Sequence, residues 1–159
     1  MIMNLLHISS AVVWVDFFVI ALSKVFPMTT ALDTWYKQFG IVAVLSDTLV
    51  IILGILLAKI IRPNADVHAL AVTSIIIQLI HDTLFYFGVI LPIPRGHNSM
   101  IDLFKKYSGE GGYKILVADA AMIGGSVYLA DYFSSLRTEY VVFAGLLAVY
   151  AITFILYTK

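Results

Sequence analysis

Five apolar runs, each long enough to cross a lipid bilayer, decide what this chain can fold into. They are Leu5–Phe26, closed by Pro27; Gly40–Ile61, closed by Arg62-Pro63-Asn64; Val67–Leu91, closed by Pro92-Ile93-Pro94-Arg95-Gly96; Tyr113–Phe133; and Tyr140–Tyr157. A hydrocarbon core of about 30 Å takes roughly 20 residues of helix. Helix breakers fall at the ends of the runs, where they belong. Strands of a membrane barrel are shorter, about ten residues, and alternate; these runs are continuous. The expected fold is an all-α polytopic membrane bundle of about five transmembrane helices, occupying residues 1–159 as a single transmembrane domain.

Composition agrees with that reading. Of the 159 residues, 61% are hydrophobic and 13% charged, whereas soluble domains carry about 25% charged residues. Ten basic and ten acidic residues cancel, so there is no basic footprint for nucleic acid. The absence of cysteine removes disulfides, thiolate metal sites and Cys nucleophiles. Met1 to Ala11 contain no Lys or Arg, unlike the basic start of a cleavable signal, so the first run is expected to persist as a span. No internal repeat is apparent.

The expected sizeable connection is Arg95–Gly112. Ser99 with Asp102 three residues on has the spacing of a capping box, and Met100, Ile101, Leu103, Phe104 and Tyr107 recur at helical spacing. A short interfacial helix over residues 99–107 is predicted, with a solvated loop as the alternative. Trp35-Tyr36 and the tyrosines at other span ends are read as aromatic belts. Lys59, Arg62 and Arg137 fall on one side of the membrane; Lys24, Lys37, Arg95, Lys105, Lys106, Lys114 and Lys159 fall on the other. The second side is therefore expected to be cytoplasmic.

Ionisable groups inside spans carry the functional information, because each costs about 2.5–3.5 kcal/mol or more at mid-membrane. Asp16 in the first run, Asp47 in the second, Gln78, His81 and Asp82 in the third and Asp119 in the fourth form the candidate intramembrane polar cluster. Asp47 and Asp119 sit about 10 Å in from the more basic side, at 1.5 Å per residue. His81 and Asp82, as neighbours about 100° apart on a helix, need not pair. Such acids either form a proton or cation path or join helices by hydrogen bonds, helped by small residues. No HExxH, GxSxG or phosphate-binding glycine loop is present. No catalysis, metal or cofactor is therefore expected.

Three blocks carry a resemblance. Trp35-Tyr36-Lys37-Gln38-Phe39-Gly40 leads into Asp47, Gly54 and Ala58; Gln78-Leu79-Ile80-His81-Asp82 is followed by Phe85-Tyr86. Pro94-Arg95-Gly96-His97-Asn98 precedes Ile101-Asp102-Leu103-Phe104-Lys105, with Gly112-Tyr113-Lys114 opening the Asp119 helix. Over about Trp35 to Asp131 the chain resembles small polytopic membrane proteins of large nucleocytoplasmic DNA viruses. The resemblance implies a structural protein of a virion internal membrane and host endomembrane, anchoring that membrane to capsid or other membrane proteins. Arg95, Lys105, Lys106 and Tyr107 would be its contact residues, and a homo-oligomer is compatible with so small a chain. The competing expectation is a proton or cation channel or transporter built on Asp16, Asp47, Asp82 and Asp119.

Overall fold

The computed structural model describes residues 3–26 and 29–158; Pro27 and Lys159, used above as a span stop and a basic end, lie outside them. Seven α-helices follow in order among the described residues. Five are long and apolar enough to cross a membrane: α1 (Leu5–Val25), α3 (Ile41–Ile61), α4 (Val67–Phe85), α6 (Tyr113–Ser134) and α7 (Thr138–Ile155). The protein is an integral membrane helix bundle. α4 continues into a wide π turn, Tyr86–Ile90, closed by Leu91 N–H donating to the Tyr86 carbonyl at 2.9 Å.

Two short helices, α2 (Thr30–Phe39) and α5 (Ser99–Gly111), pack on each other. α5 runs four residues beyond the expected 99–107. Its cap is also different. Asn98 accepts from the Met100 and Ile101 N–H groups at 2.9 and 3.2 Å, while Asp102 turns back to accept from Gly96 N–H at 2.9 Å. The Ser99–Asp102 capping box is thus replaced by an Asn cap one position earlier, whose side-chain oxygen accepts from the free N–H groups of the first turn. α2 was not foreseen. Thr29 caps it through the Leu32 N–H at 3.0 Å, and Leu32, Trp35, Tyr36 and Phe39 lie along its inner side. Trp35 and Tyr36 are only 5% and 3% exposed, so they are core residues instead of an interfacial belt.

An internal repeat, missed in the sequence, organises the bundle. α1-α2-α3 and α4-α5-α6 have the same order of long, short and long helix. Both units open with an amide or acid cap: Asn4 accepts from His7 N–H and Asp66 from Ala69 N–H. In both, the short helix passes into the next span through a glycine of nearly identical conformation, Gly40 at φ 52°, ψ −124° and Gly112 at φ 52°, ψ −135°. Seven residues after each glycine stands an aspartate, Asp47 and Asp119. The same register matches Ile51 with Ile123, Leu57 with Leu129 and Ala58 with Ala130. Buried positions follow suit, as with Ile55 and Val127.

The packing has the symmetry of that repeat. α1 meets α3 and α6; its counterpart α4 meets α6 and α3; α2 meets α5, and α3 meets α6. These neighbour relations survive exchange of the two units, as for two parallel repeats. α7 stands outside the repeat, packed on α1. There a Cβ added at Gly145 would lie 2.5 Å from Ser10 Oγ, the close approach that small residues permit between membrane helices. Ile8, Val12, Ile55, Leu70, Ile123 and Val127 fill the centre, while Leu53, Ile60, Leu84, Phe143 and Phe154 face outwards.

The positive φ of Gly112 is one that side-chain-bearing residues rarely adopt, and nothing lies within 4 Å of a Cβ placed there. Gly112→Ala therefore isolates the backbone cost, expected at about 1–3 kcal/mol. Gly88→Ala, with the same open space and no positive φ, should leave stability unchanged or slightly raised. Thermal unfolding of the two detergent-purified variants checks the pair.

Candidate functional site

A cavity of about 430 Å³ lies between α3, α4 and α6 and beneath the α2–α5 pair. Three acids of the expected cluster line it: Asp47 from α3, Asp82 from α4 and Asp119 from α6, with Gln78 and His81 beside them. The repeat explains the placement of two, since Asp47 and Asp119 stand at the same distance past equivalent glycines.

Asp16 does not join them. It is fully buried between α1 and α3, where Thr48 Oγ1 lies 3.3 Å from its Oδ2 and 2.7 Å from the Val44 carbonyl. One hydroxyl proton serves those two acceptors in turn, and Asp16 Oδ1 has no partner among the described residues. This carboxyl joins two helices.

Each of two cavity acids is held by one oxygen. Trp35 Nε1 and Tyr36 Oη both donate to Asp47 Oδ2, each at 3.2 Å. Gln78 Nε2 donates to Asp82 Oδ1 at 2.8 Å, and His81 Nδ1 lies 3.1 Å from the same oxygen. The neighbouring His81 and Asp82 therefore do pair, with the imidazole lying over the residues that follow it, Asp82 and Phe85. Asp82 Oδ2 is buried and has no hydrogen-bond partner among the described residues.

A series of aromatic rings shares the lining with the acids. His81 stacks on Phe85 with centroids 5.8 Å apart and planes at 10°. Phe85 meets Phe104 edge-on at 6.2 Å, and Phe104 meets Trp35 at 4.9 Å. Trp35, Tyr36, Phe104 and Tyr107 come from the two short helices. Burial, together with the negative charge of Asp47, pushes the Tyr36 hydroxyl well above its ordinary pKa, and burial first of all raises Tyr107. Both phenols stay protonated donors at neutral pH. The ring spacing along α2 was the available signal, obscured by the helix's shortness.

Of the residues expected to contact partners, Tyr107 faces this cavity. Lys105 Nζ donates to the carbonyls of Ile93 and Leu91, the latter at 3.4 Å. It thus satisfies backbone acceptors just beyond the π turn. Lys106 lies 3.6 Å from Glu110. Arg95 is exposed.

Glu110 fastens the roof. Its Oε1 accepts from Thr30 Oγ1 at 2.8 Å and its Oε2 from Ala31 N–H at 3.0 Å, so an acid of α5 sits on the N-terminal turn of α2, where negative charge is favoured. At the same helix Asp33 lies 2.6 Å from Lys37 and 3.6 Å from Lys24 of α1.

Among the described residues no three His, Asp or Glu side chains converge closely enough to hold one metal ion. No protein-family model matches the chain, nor does any curated protein or solved structure.

The Ala31 N–H bond, then the Thr30 hydroxyl, holds the Glu110 carboxyl below its ordinary pKa. A lowered folded-state pKa means stability present above the ordinary glutamate value and lost as pH falls through the folded one. Wild type is therefore expected to exceed Glu110→Gln in thermal stability at neutral pH. The difference should shrink to nothing as acid protonates Glu110, measured as unfolding temperature against pH for both proteins.

Proposed function

We propose that this protein binds cations in the membrane and moves them across it. The reading rests on one observation, the cavity at the interface of two parallel repeat units, with equivalent aspartates contributed by each and Asp82 beside them. Secondary transporters built from repeats hold substrate and coupling ions near such an interface, and acids inside spans mark ion or proton pathways. Three carboxylates around one cavity repel one another when ionised, and a cation among them relieves that repulsion. Asp47, Asp82 and Asp119 present negative charge to the cavity, with Trp35 and Tyr36 orienting Asp47 and Gln78 and His81 orienting Asp82. No catalytic step is assigned. Asp16 serves packing and lies outside the path.

Purified protein in liposomes should pass protons or monovalent cations above the empty-liposome background. Asp119→Asn and Asp82→Asn should each lower the flux at least tenfold. Asp131→Asn, on the same helix as Asp119 but away from the cavity, should leave it unchanged. Flux equal to empty liposomes under every gradient would sink the reading.

A second reading, a virion membrane protein tied to the capsid, draws on the viral resemblance and on the exposed loop bearing Arg95 and His97. Cross-linking of intact particles from Lys106 to a coat protein would support it. Absence of the chain from purified particles would remove it.

A further inference from the structure

Deepening the cation-binding reading, we infer that the cavity takes a primary ammonium ion carried on an apolar, ring-sized body. Three features of the cavity lead there, and none of them is the acidity alone.

Size comes first. At about 430 Å³ the space falls within the roughly 300–1,000 Å³ of small-molecule pockets and far exceeds a bare ion. Room on that scale points to an organic cation.

The lining comes second. His81, Phe85, Phe104 and Trp35 form a continuous series of ring contacts in the lining that also holds Asp47, Asp82 and Asp119. Ring faces attract cations, Trp most strongly, within about 6 Å of the centroid, and the same rings accept an apolar body. A small hydrated ion gains nothing from such a wall.

Unmet acceptor capacity comes third. Asp82 Oδ2 is buried without a partner among the described residues, while Gln78 and His81 are both spent on Oδ1. Trp35 and Tyr36 are likewise both spent on Asp47 Oδ2. A buried acceptor left open costs stability unless something donates to it. A primary ammonium brings three N–H donors, one of which answers the open Asp82 oxygen. A quaternary ammonium has none to give.

The test is calorimetric titration of the full chain in detergent with three probes sharing one body: 2-phenylethylammonium, its N-trimethyl analogue and 2-phenylethanol, each corrected for empty micelles. The primary ammonium should bind saturably, about tenfold or more tighter than either relative. That advantage should fall at least tenfold in Asp82→Asn, whose shape is conserved and whose folding is checked by helicity and elution, and should persist in Asp131→Asn. Should the alcohol bind as well as the ammonium, the charge plays no part and the inference is overturned. Equal binding of the trimethyl analogue overturns the assignment of N–H donors. Proton, sodium or potassium flux without amine binding overturns the inference and leaves the cation-transport reading standing. Neither flux nor amine binding removes both.

Discussion

Hydrocarbon offers a carboxylate no water, so every acid within a span must be answered by the protein or by something it binds. Four of these acids are answered in two ways. Asp16 is closed between α1 and α3 with Thr48 as its donor, a solution that spends a polar group on joining helices. Asp47, Asp82 and Asp119 are instead left around an open space. Much else follows from keeping that space: the glycines that let α2 and α5 fold back over it, the phenol and indole donors those helices carry inward, and the Glu110 contact that holds the two together. Without the short helices, Asp47 would lose both of its donors.

The five spans and the all-helical class were legible because a bilayer leaves little alternative to a long apolar run. The finer architecture was not. α2 is ten residues long and amphipathic, below the length at which periodicity separates from a loop, and its Trp35 and Tyr36 look the same in sequence whether they face headgroups or a core. The repeat was hidden for a related reason. Lipid-facing positions accept any apolar residue, so Leu53 against Gly125 or Ile60 against Tyr132 erodes the match, while the shared information survives at Gly40 and Gly112, Asp47 and Asp119, and the small Ala58 and Ala130. Those positions are set by backbone conformation, charge and close packing, which hydropathy does not register.

Placement of the candidate site residues divides along the same line. The acids were found because ionisable residues in apolar runs are conspicuous, and three of the four do share a cavity. Their places along the helices were readable; their neighbours were not, since a polar stripe gives a helix its inward face without saying which helix it meets. Lys105 shows the limit of reading a charge as an exposed contact. It looked like part of a docking surface, yet it is occupied with the carbonyl groups left free where α4 unwinds into its π turn and the loop beyond.

α7 makes the two halves unequal. Counted from their caps at Asn4 and Asp66, Ser10 of α1 corresponds to Val72 of α4; Ser10 is 4% exposed beneath Gly145, whereas Val72 is 55% exposed. At this position the first unit is covered by a further helix and the second is not. The two units are thus alike in fold but not in surroundings, and the symmetry of the repeat ends at the outer face of α1.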